Sequence, residues 1–402
     1  MAVSKPMMIY SDNATIGCDP EVFARDKEGT VVASDVLIPA KGLLVDGGYG
    51  LASVVRDGVQ IELHPSPTSC RANVSNSLQK CFRTLAKAAT EKGLQISFDQ
   101  VVTLDKKALA GMSEDAQRLR CLPSFNAYNA VGQTVDGKKY RKRSGAGHIH
   151  VGSGVFGPDK TYIDHNKGIK AFDMLVGIPA VLCDRDPGAA ERRKVYGLAG
   201  EYRLPSHGVE YRTLSNFWLR NYALFSLFAG MAKIAHGVAI TEYYVKRHAY
   251  IFKATGMYDR YHDRPMEILM DGVDEMDLQD AINHNDFDLA LKIYDKHVEP
   301  FLKTVKSEYG IMGQRQFSPS SGNLDEFRHF FTKIKEEGLG YWFKEEPLQH
   351  WLTKREGHGT GWEDGFVPTI RADMAATKKK IIKVGANVAR LRDARGRFAK
   401  VA

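Results

Sequence analysis

Four short strand-like segments carry polar residues two positions apart, and this pattern constrains the fold more than any other feature of the chain. Alternate residues of a β-strand point to the same face of the sheet. Each segment therefore presents polar groups on one face and apolar groups on the other, which predicts a sheet with one polar face. The segments are Asp19-Pro20-Glu21, Gln60-Ile61-Glu62-Leu63-His64, His148-Ile149-His150 and Glu210-Tyr211-Arg212.

The polar residues of these segments are mainly carboxylates and imidazoles, rather than the Lys, Thr and Ser that are usual on a solvent-facing strand. The carboxylates of Asp19, Glu21, Glu62 and Glu210 could not lie close together without cations. Mg²⁺ prefers such oxygen ligands, and His adds a ligand where Mn²⁺ also binds. Arg212 beside Glu210 would supply a fixed positive charge for a transferred phosphoryl group.

Each segment taken alone is compatible with a simpler interpretation. The first would suit a turn, the second an exposed strand face, and the last an ion pair on one strand. The pair His148-x-His150 is the strongest single signal, because two His on one strand face is a recurrent metal-ligand spacing. The occurrence of all four segments in one chain favours a functional site.

A second cluster, rich in cations and glycine, precedes Glu210. On a glycine-hinged loop such cations would contact nucleotide phosphates, whereas the alternative is a solvated loop. The motif G-x-x-x-x-G-K-[ST] does not occur, and the residues alone do not identify a nucleotide. The cluster comprises Arg192, Arg193, Lys194, Tyr196, Gly197, Gly200, Glu201 and Arg203.

The coarse periodicity predicts an α+β protein. Residues 14–64 read as β-rich, and helices are predicted at 69–91, 167–183 and 217–239, the last strongly apolar. Ser69 can cap the first of these helices, and Gly93 follows as its C-terminal stop. Its apolar face comprises Val74, Leu78, Cys81, Phe82 and Leu85. Beyond about residue 245 the pattern is mainly helical, at 277–306 and 324–337. These patterns divide the chain into residues 1–245, a helical C-terminal region 246–370 and a tail 371–402.

The net charge of +8 comes entirely from the tail. Residues 371–402 contain ten basic and two acidic residues, so residues 1–370 are formally neutral. We expect this tail to be a flexible arm, or a helix that forms on nucleic acid or on an acidic partner.

The cellular compartment is predicted from what the sequence lacks. No apolar run reaches the roughly 20 residues that a membrane span needs, and residues 1–10 do not read as a secretory signal. The five cysteines are widely spaced without C-x-x-C, which argues against a disulfide framework or a zinc knuckle. We expect a cytoplasmic protein that does not contact a membrane.

Several of these segments resemble the phage-encoded COOH–NH2 ligases of type 2, a family placed with glutamine synthetase and glutamate–cysteine ligase. The resemblance covers roughly residues 14–240, and the last motif is the longest and most specific. The motifs are residues 17–23 (GCDPEVF), 57–62 (DGVQIE), 147–152 (GHIHVG) and 208–218 (GVEYRTLSNFW).

The resemblance implies a glutamine-synthetase-like antiparallel sheet that forms a funnel flanked by helices, with residues 1–245 as the catalytic domain. It implies binding of ATP and Mg²⁺, or Mn²⁺. It also implies a reaction in which a carboxylate attacks the γ-phosphate to give an acyl phosphate, and an amine then displaces phosphate to leave an amide.

The resemblance also implies roles for individual residues. Arg212 and Arg203 are the implied catalytic residues and phosphate ligands, and Arg192 and Arg193 join them as nucleotide-binding cations. His150 lies on the nucleotide side of the site. The implied metal ligands are Asp19, Glu21, Glu62, His148 and Glu210. Two departures weaken the match, because Asp19 replaces a glutamate and Gln60 stands where a second carboxylate would strengthen the site.

The sequence is also compatible with two other functions. The same carboxylates and imidazoles could activate water in a metal-dependent hydrolase, although such an enzyme would not need Arg212. A phage structural or nucleic-acid-associated protein with a basic tail is the second alternative. The substrates are open between small molecules and peptides, and an oligomer is compatible with the sequence.

Overall fold

Antiparallel strands are concentrated in the first half of the chain, as the alternating pattern predicts. The computed structural model describes residues 7–11, 14–119, 124–130, 136–254, 264–309 and 346–353. Its contacts group Met1–Thr360 into one unit and Gly361–Ala402 into a second. The predicted tail 371–402 and the predicted helix at 324–337 lie outside the described residues.

The strands are β1 (Met7–Ser11), β2 (Thr15–Cys18), β3 (Glu21–Arg25), β4 (Val31–Val32), β5 (Leu43–Asp46), β6 (Leu51–Asp57), β7 (Gln60–His64), β8 (Gln95–Ser97), β9 (Val101–Thr103), β10 (Phe125–Asn126), β11 (Lys142–Ser144), β12 (Ile149–Gly152), β13 (Glu201–Arg203), β14 (Gly208–Tyr211) and β15 (Val305–Tyr309).

Helices follow the strands and become the main element of the second half. Two π-helical stretches, Asp173–Gly177 and Tyr294–Val298, and one 3-10 turn, Asn216–Arg220, interrupt or precede α-helices. The α-helices are α1 (Ser34–Leu37), α2 (Arg71–Glu91), α3 (Lys106–Gly111), α4 (Glu114–Gln117), α5 (His165–Phe172), α6 (Ile178–Cys183), α7 (Gly188–Arg193), α8 (Tyr222–Arg247), α9 (Ala249–Ala254), α10 (Pro265–Met270), α11 (Glu275–Asn283), α12 (Phe287–Ile293), α13 (Glu299–Thr304) and α14 (Pro347–Thr353).

Two antiparallel sheets contain most of the strands. The five-stranded sheet has the order β10-β13-β14-β12-β2. The six-stranded sheet has the order β4-β3-β7-β6-β5, and β8 also pairs with β3. Two strand pairs lie apart from these sheets, the antiparallel pair β9 and β11 and the parallel pair β1 and β15.

The two sheets meet at Asp19 and Pro20. Strand β2 ends at Cys18 in one sheet and β3 begins at Glu21 in the other, so the chain changes sheet across two residues. The carbonyl of Pro20 accepts a bond from the Leu63 amide at 3.0 Å, and the Glu21 amide donates to the carbonyl of Ala146 at 2.8 Å. These main-chain bonds fix the junction and place two of the predicted metal ligands at it.

Helix α2 covers the six-stranded sheet through the apolar face that its periodicity predicts. It packs against β5, β6, β7 and β8. Its N-cap is Cys70, whose side chain makes no capping bond, so the prediction that Ser69 caps this helix is wrong. Gly93 adopts φ +64 just beyond the helix, as predicted for its C-terminal stop. The buried face comprises Val74, Leu78, Cys81, Phe82 and Leu85.

Helix α8 is the central apolar helix and packs against α2, α5 and β12. The sequence predicts one helix over 217–239, but Asn221 is extended and caps a new helix by accepting a bond from the Ala223 amide at 2.7 Å. By length and composition α8 would pass for a membrane span, and 89% of its most apolar window is buried inside the protein. That burial is typical of a core helix.

The α+β class predicted from the sequence is confirmed. The described parts of the C-terminal region are largely helical, although β15 departs from that pattern because it pairs with β1. The funnel, the helical character of 246–370 as a whole and the boundary at residue 245 stay predictions.

Helix α14 is predicted to stabilise the fold through one side chain. The indole of Trp351 is fully buried against Phe82 and donates to the carbonyl of Leu219 at 2.6 Å. Removing a buried indole costs about 3–5 kcal/mol, so Trp351→Ala should lower the free energy of unfolding by that amount in urea titrations. The control is Tyr250→Ala, since Tyr250 is 86% exposed, and an equal loss in both variants would contradict the prediction.

Candidate functional site

Strand register brings the predicted polar residues onto adjoining positions. His150 on β12 pairs with Glu210 on β14 on one side and with Gly17 on β2 on the other. In the second sheet Glu21 on β3 pairs with Glu62 on β7. Because directly opposed residues of neighbouring strands share a face of the sheet, the register places Glu210 beside His150 in one sheet and Glu21 beside Glu62 in the other.

Asp19 lies at the centre of these residues. Its Oδ1 is 3.1 Å from His148 Nδ1, and its Oδ2 is 3.1 Å from His150 Nε2. The Oε1 of Glu210 is 3.4 Å from His148 Nδ1. The structure thus joins one residue from the sheet junction to residues from two neighbouring strands.

These polar atoms fit a divalent cation. Within the described parts of the chain, Asp19 Oδ1, His148 Nδ1 and His150 Nε2 are buried and make no well-directed hydrogen bond despite these short distances. That is a costly arrangement unless another group satisfies them. One ligand atom from each of Asp19, His150 and Glu210 lies within 4.8 Å of the others. Carboxylate oxygens with an imidazole suit Mg²⁺ or Mn²⁺.

Glu21 and Glu62 show the electrostatic cost of this arrangement. Burial, together with Asp57 and Glu62 nearby, raises the pKa of Glu21 well above its usual range. Burial raises the pKa of Glu62 to about 7, although the hydrogen bond from His64, 2.9 Å away, opposes this shift. Such shifts in neighbouring carboxyl groups mean that negative charge is disfavoured there unless a cation balances it.

The imidazoles of His148 and His150 have the opposite effect on the pKa of Asp19, because they lower it. Burial alone would raise the pKa of Asp19, but His148 and His150 outweigh it and hold that pKa well below its usual range. Burial lowers the pKa of His148, whereas for His150 the carboxylate of Asp19 outweighs burial and raises the pKa. Asp19 is therefore the carboxylate that is best held in its ionised form.

Arg203 and Arg212 both contact Glu210, yet only one of them reaches solvent. Arg203 Nη2 donates to Glu210 Oε1 at 2.7 Å and its side chain is 29% exposed. The Arg212 side chain is 1% exposed, and its Nε lies 3.2 Å from the same oxygen. Its Nη1 donates to Ser124 Oγ at 2.8 Å. Arg203 is thus the more accessible guanidinium for an anion.

Arg192 and Arg193 are not brought to the carboxylates, although the sequence predicted both as nucleotide-binding cations. Arg192 donates to the carbonyls of Thr213 and Arg212, at 2.8 and 3.2 Å. Arg193 donates to Asn285 Oδ1 at 2.6 Å. Both side chains are buried, so their positions favour a structural role over contact with phosphates.

The structure adds two residues to the site. His207 Nε2 lies 3.1 Å from His150 Nδ1. The hydroxyl of Tyr196 contacts His148 Nε2 and accepts a bond from Arg212 Nε at 3.0 Å. No sequence signal marks His207, which lies in the turn before β14. Tyr196 belongs to the cation-rich cluster, in which the sequence predicts a role for the cations only.

The charge of Glu62 should make it a destabilising residue in the metal-free protein. Because the folded protein raises its pKa from 4.5 to about 7, ionised Glu62 costs stability as the pH rises through that window and none well below it. We expect Glu62→Gln to increase the free energy of unfolding by roughly 1–3 kcal/mol at pH 8. The gain should shrink towards pH 5 in urea titrations with a chelator. A gain that is the same at both pH values, or that also appears in the exposed variant Glu114→Gln, would contradict this account.

Two solved structures are examples of a weak likeness to the chain. The chain is similar to the structure described as "Apo GmaS without ligand", with a TM-score of 0.38, 11% identity and coverage of 85% of this chain and 72% of that one. For "GmaS/ADP complex-Conformation 1" the values are 0.33, 12%, 83% and 70%. Neither likeness is strong enough to carry an argument about activity. No curated protein matches the chain.

Comparison with protein families gives a specific match. The matched segment includes the motifs at 147–152 and 208–218. The strand register pairs the motif at 17–23 with the one at 147–152, and the motif at 57–62 with the one at 17–23. Residues 124–309 match the model of the phage phiEco32-like COOH.NH2 ligases of type 2, which confirms the resemblance over that part of the chain and supports a carboxylate–amine ligase.

Proposed function

We propose that this protein is an ATP-dependent ligase that joins a carboxylate to an amine through an acyl phosphate. The observation that carries the proposal is the convergence of Asp19, His150 and Glu210 at the junction of two sheets. The family match supports the amide-forming chemistry. ATP and the acyl phosphate are what the resemblance of the motifs to the family implies, and the donor set supports Mg²⁺.

Asp19, His150 and Glu210 would hold a first divalent cation, Mg²⁺ or Mn²⁺. Glu21 and Glu62, with their raised pKa values, would share another on the side of the six-stranded sheet. His148, predicted as a metal ligand, contacts both Asp19 and Glu210 and would either bind the cation or orient these carboxylates. When bound, the cations would neutralise the phosphate oxygens of ATP and the charge that develops during transfer.

Arg203 and Arg212 would have different roles in the reaction. Arg203 is held by Glu210 but is partly exposed, so its free donors would bind a phosphate oxygen. Arg212 is enclosed and donates to Tyr196 and Ser124, so it would act by fixing Glu210 and the adjacent side chains. The acyl phosphate would form where Arg203 and the cations neutralise the phosphoryl group together.

The substrates and the cellular setting follow from the same proposal. We expect a small-molecule or peptide carboxylate and an amine as the partners in the reaction. The reaction would take place in the cytoplasm and would not involve a membrane. If the protein is phage-encoded, this would be the cytoplasm of the host cell. The basic residues 371–402 would contact nucleic acid or an acidic partner.

Binding of ATP is the first test. A ligand that binds the native state raises apparent stability by roughly 2.7 kcal/mol at a hundred times its dissociation constant. We expect ATP with Mg²⁺, but not ATP alone, to raise the melting temperature of the wild type in a thermal-shift assay. Glu210→Gln should lose most of that increase, whereas Glu242→Gln on the exposed side of α8 should keep it.

The same assay separates the ligase from a hydrolase. A shift with metal but none with ATP would overturn the ligase, and ATP-independent hydrolysis of a peptide or ester would then support a metal-dependent hydrolase. Each variant is compared with its own ligand-free melting temperature, so a change in basal stability does not enter the result.

The substitutions Arg203→Gln and Arg212→Gln should have different effects on ligand affinity and on stability. Arg203→Gln should weaken binding of Mg²⁺ and ATP about tenfold or more in calorimetric titration, with a stability loss below about 1.5 kcal/mol because the side chain is partly exposed. Arg212→Gln should lower the free energy of unfolding by about 3–5 kcal/mol because it removes a partner of the buried Glu210. Arg264→Gln, in an exposed ion pair on α10, is the control. Unchanged ATP affinity in Arg203→Gln would contradict the assignment.

A further inference from the structure

Tyr196 occupies a fixed position beside the candidate site. It lies between α7 and β13, and its side chain is buried. Its amide donates to the carbonyl of Arg192 at 3.0 Å. The following Gly197 adopts φ +81, and its amide donates to Glu201 Oε2 at 2.9 Å. These bonds therefore hold the main chain on both sides of Tyr196.

Two guanidinium groups lie against this ring. The Cζ atoms of Arg192 and Arg212 are each 4.9 Å from the ring centroid, within the range of a cation–π contact. Arg192 also donates to the carbonyls of Arg212 and Thr213. The buried Arg192 thus binds both the ring of Tyr196 and the backbone that carries Arg212.

The hydroxyl of Tyr196 joins two predicted site residues. Arg212 donates to it from Nε, at 3.0 Å, and from Nη2. The same oxygen contacts His148 Nε2. A phenolic hydroxyl both donates and accepts, so this contact holds the imidazole in either tautomer.

The opposite side of the same imidazole faces the carboxylates. His148 Nδ1 is 3.1 Å from Asp19 Oδ1 and 3.4 Å from Glu210 Oε1. Arg212 Nε is 3.2 Å from Glu210 Oε1. Tyr196 therefore lies behind the two side chains that contact Asp19 and Glu210, without contacting the carboxylates itself through any bond described above.

We propose that Tyr196 is a positioning residue of the cation site, whose hydroxyl fixes the imidazole of His148 and the guanidinium of Arg212 so that Asp19 and Glu210 are held in place to bind a divalent cation. The inference rests on the proposed function. Partners of this kind, one step removed from a metal ion, typically change metal affinity 10–100-fold when they are removed.

The test is Mn²⁺ binding to the full chain, measured by calorimetry and by the electron paramagnetic resonance signal of free Mn²⁺. Tyr196→Phe removes the hydroxyl and keeps the ring between the guanidinium groups. The matched control is Tyr202→Phe, because Tyr202 is also buried and its hydroxyl donates at 2.7 Å to Asn166, outside the cation site. We expect Mn²⁺ affinity to fall about tenfold or more in Tyr196→Phe and less than about twofold in Tyr202→Phe.

A double variant shows whether Tyr196 acts through His148. If it does, His148→Asn combined with Tyr196→Phe should lose less affinity than the product of the two single losses, by a factor of about three or more. Fully multiplicative losses, or equal affinities in Tyr196→Phe and Tyr202→Phe, would overturn the inference while leaving the cation site in place. A wild-type protein that binds no Mn²⁺ would overturn the proposed function and this inference with it.

Discussion

Repulsion between buried carboxylates is the physical constraint on which the site depends. Asp19, Glu21, Glu62 and Glu210 are held in proximity by strand register and by the change of sheet at Pro20, so the backbone rather than any attraction between side chains brings them together. Burial is the main cause of the raised pKa values of Glu21 and Glu62, and the neighbouring carboxylates raise them further. A fold that concentrates negative charge in this way is preorganised for cations and is less stable without them.

The positive charges nearby differ in their exposure. Arg203 is at the accessible edge, whereas Arg212, which contacts Glu210, and Arg192, which donates to the carbonyl of Thr213, are both buried. Each of the three guanidinium groups donates to carbonyl, hydroxyl or carboxylate oxygens, which is how a protein keeps Arg charged in its interior. Tyr196 connects the two buried groups, since its ring contacts both of them.

Strand periodicity predicted the shared face of the site because that property is local. Residues two apart in a strand share a face wherever the strand lies, so the grouping of Glu62 with His64 and of His148 with His150 could be predicted from spacing alone. The structure places Asp19, His148 and Arg212 just beyond the ends of their strands, yet their side chains still reach the site.

Burial and pairing could not be predicted in the same way, because they depend on residues distant in the chain. Arg192 and Arg193 read as free cations on a loop, but Thr213 and Asn285 supply acceptors that enclose them. His207 reads as an ordinary turn residue until β14 pairs with β12 and brings it to His150. The helix expected at 217–239 begins at Tyr222 because Asn221 adopts an extended conformation and caps it, a choice set by the geometry of the preceding turn.

The pairing of β1 with β15 bears on how the chain reaches its native state during synthesis. Residues 7–11 leave the ribosome almost three hundred residues before the strand that pairs with them, 305–309. In the interval β1 can pack on α8, as it does in the folded protein, but its main-chain groups lack their strand partner. Closure of such a distant contact is slow and entropically costly. In the growing chain β1 would therefore present an unpaired strand edge until β15 is released, whatever the stability of the finished protein.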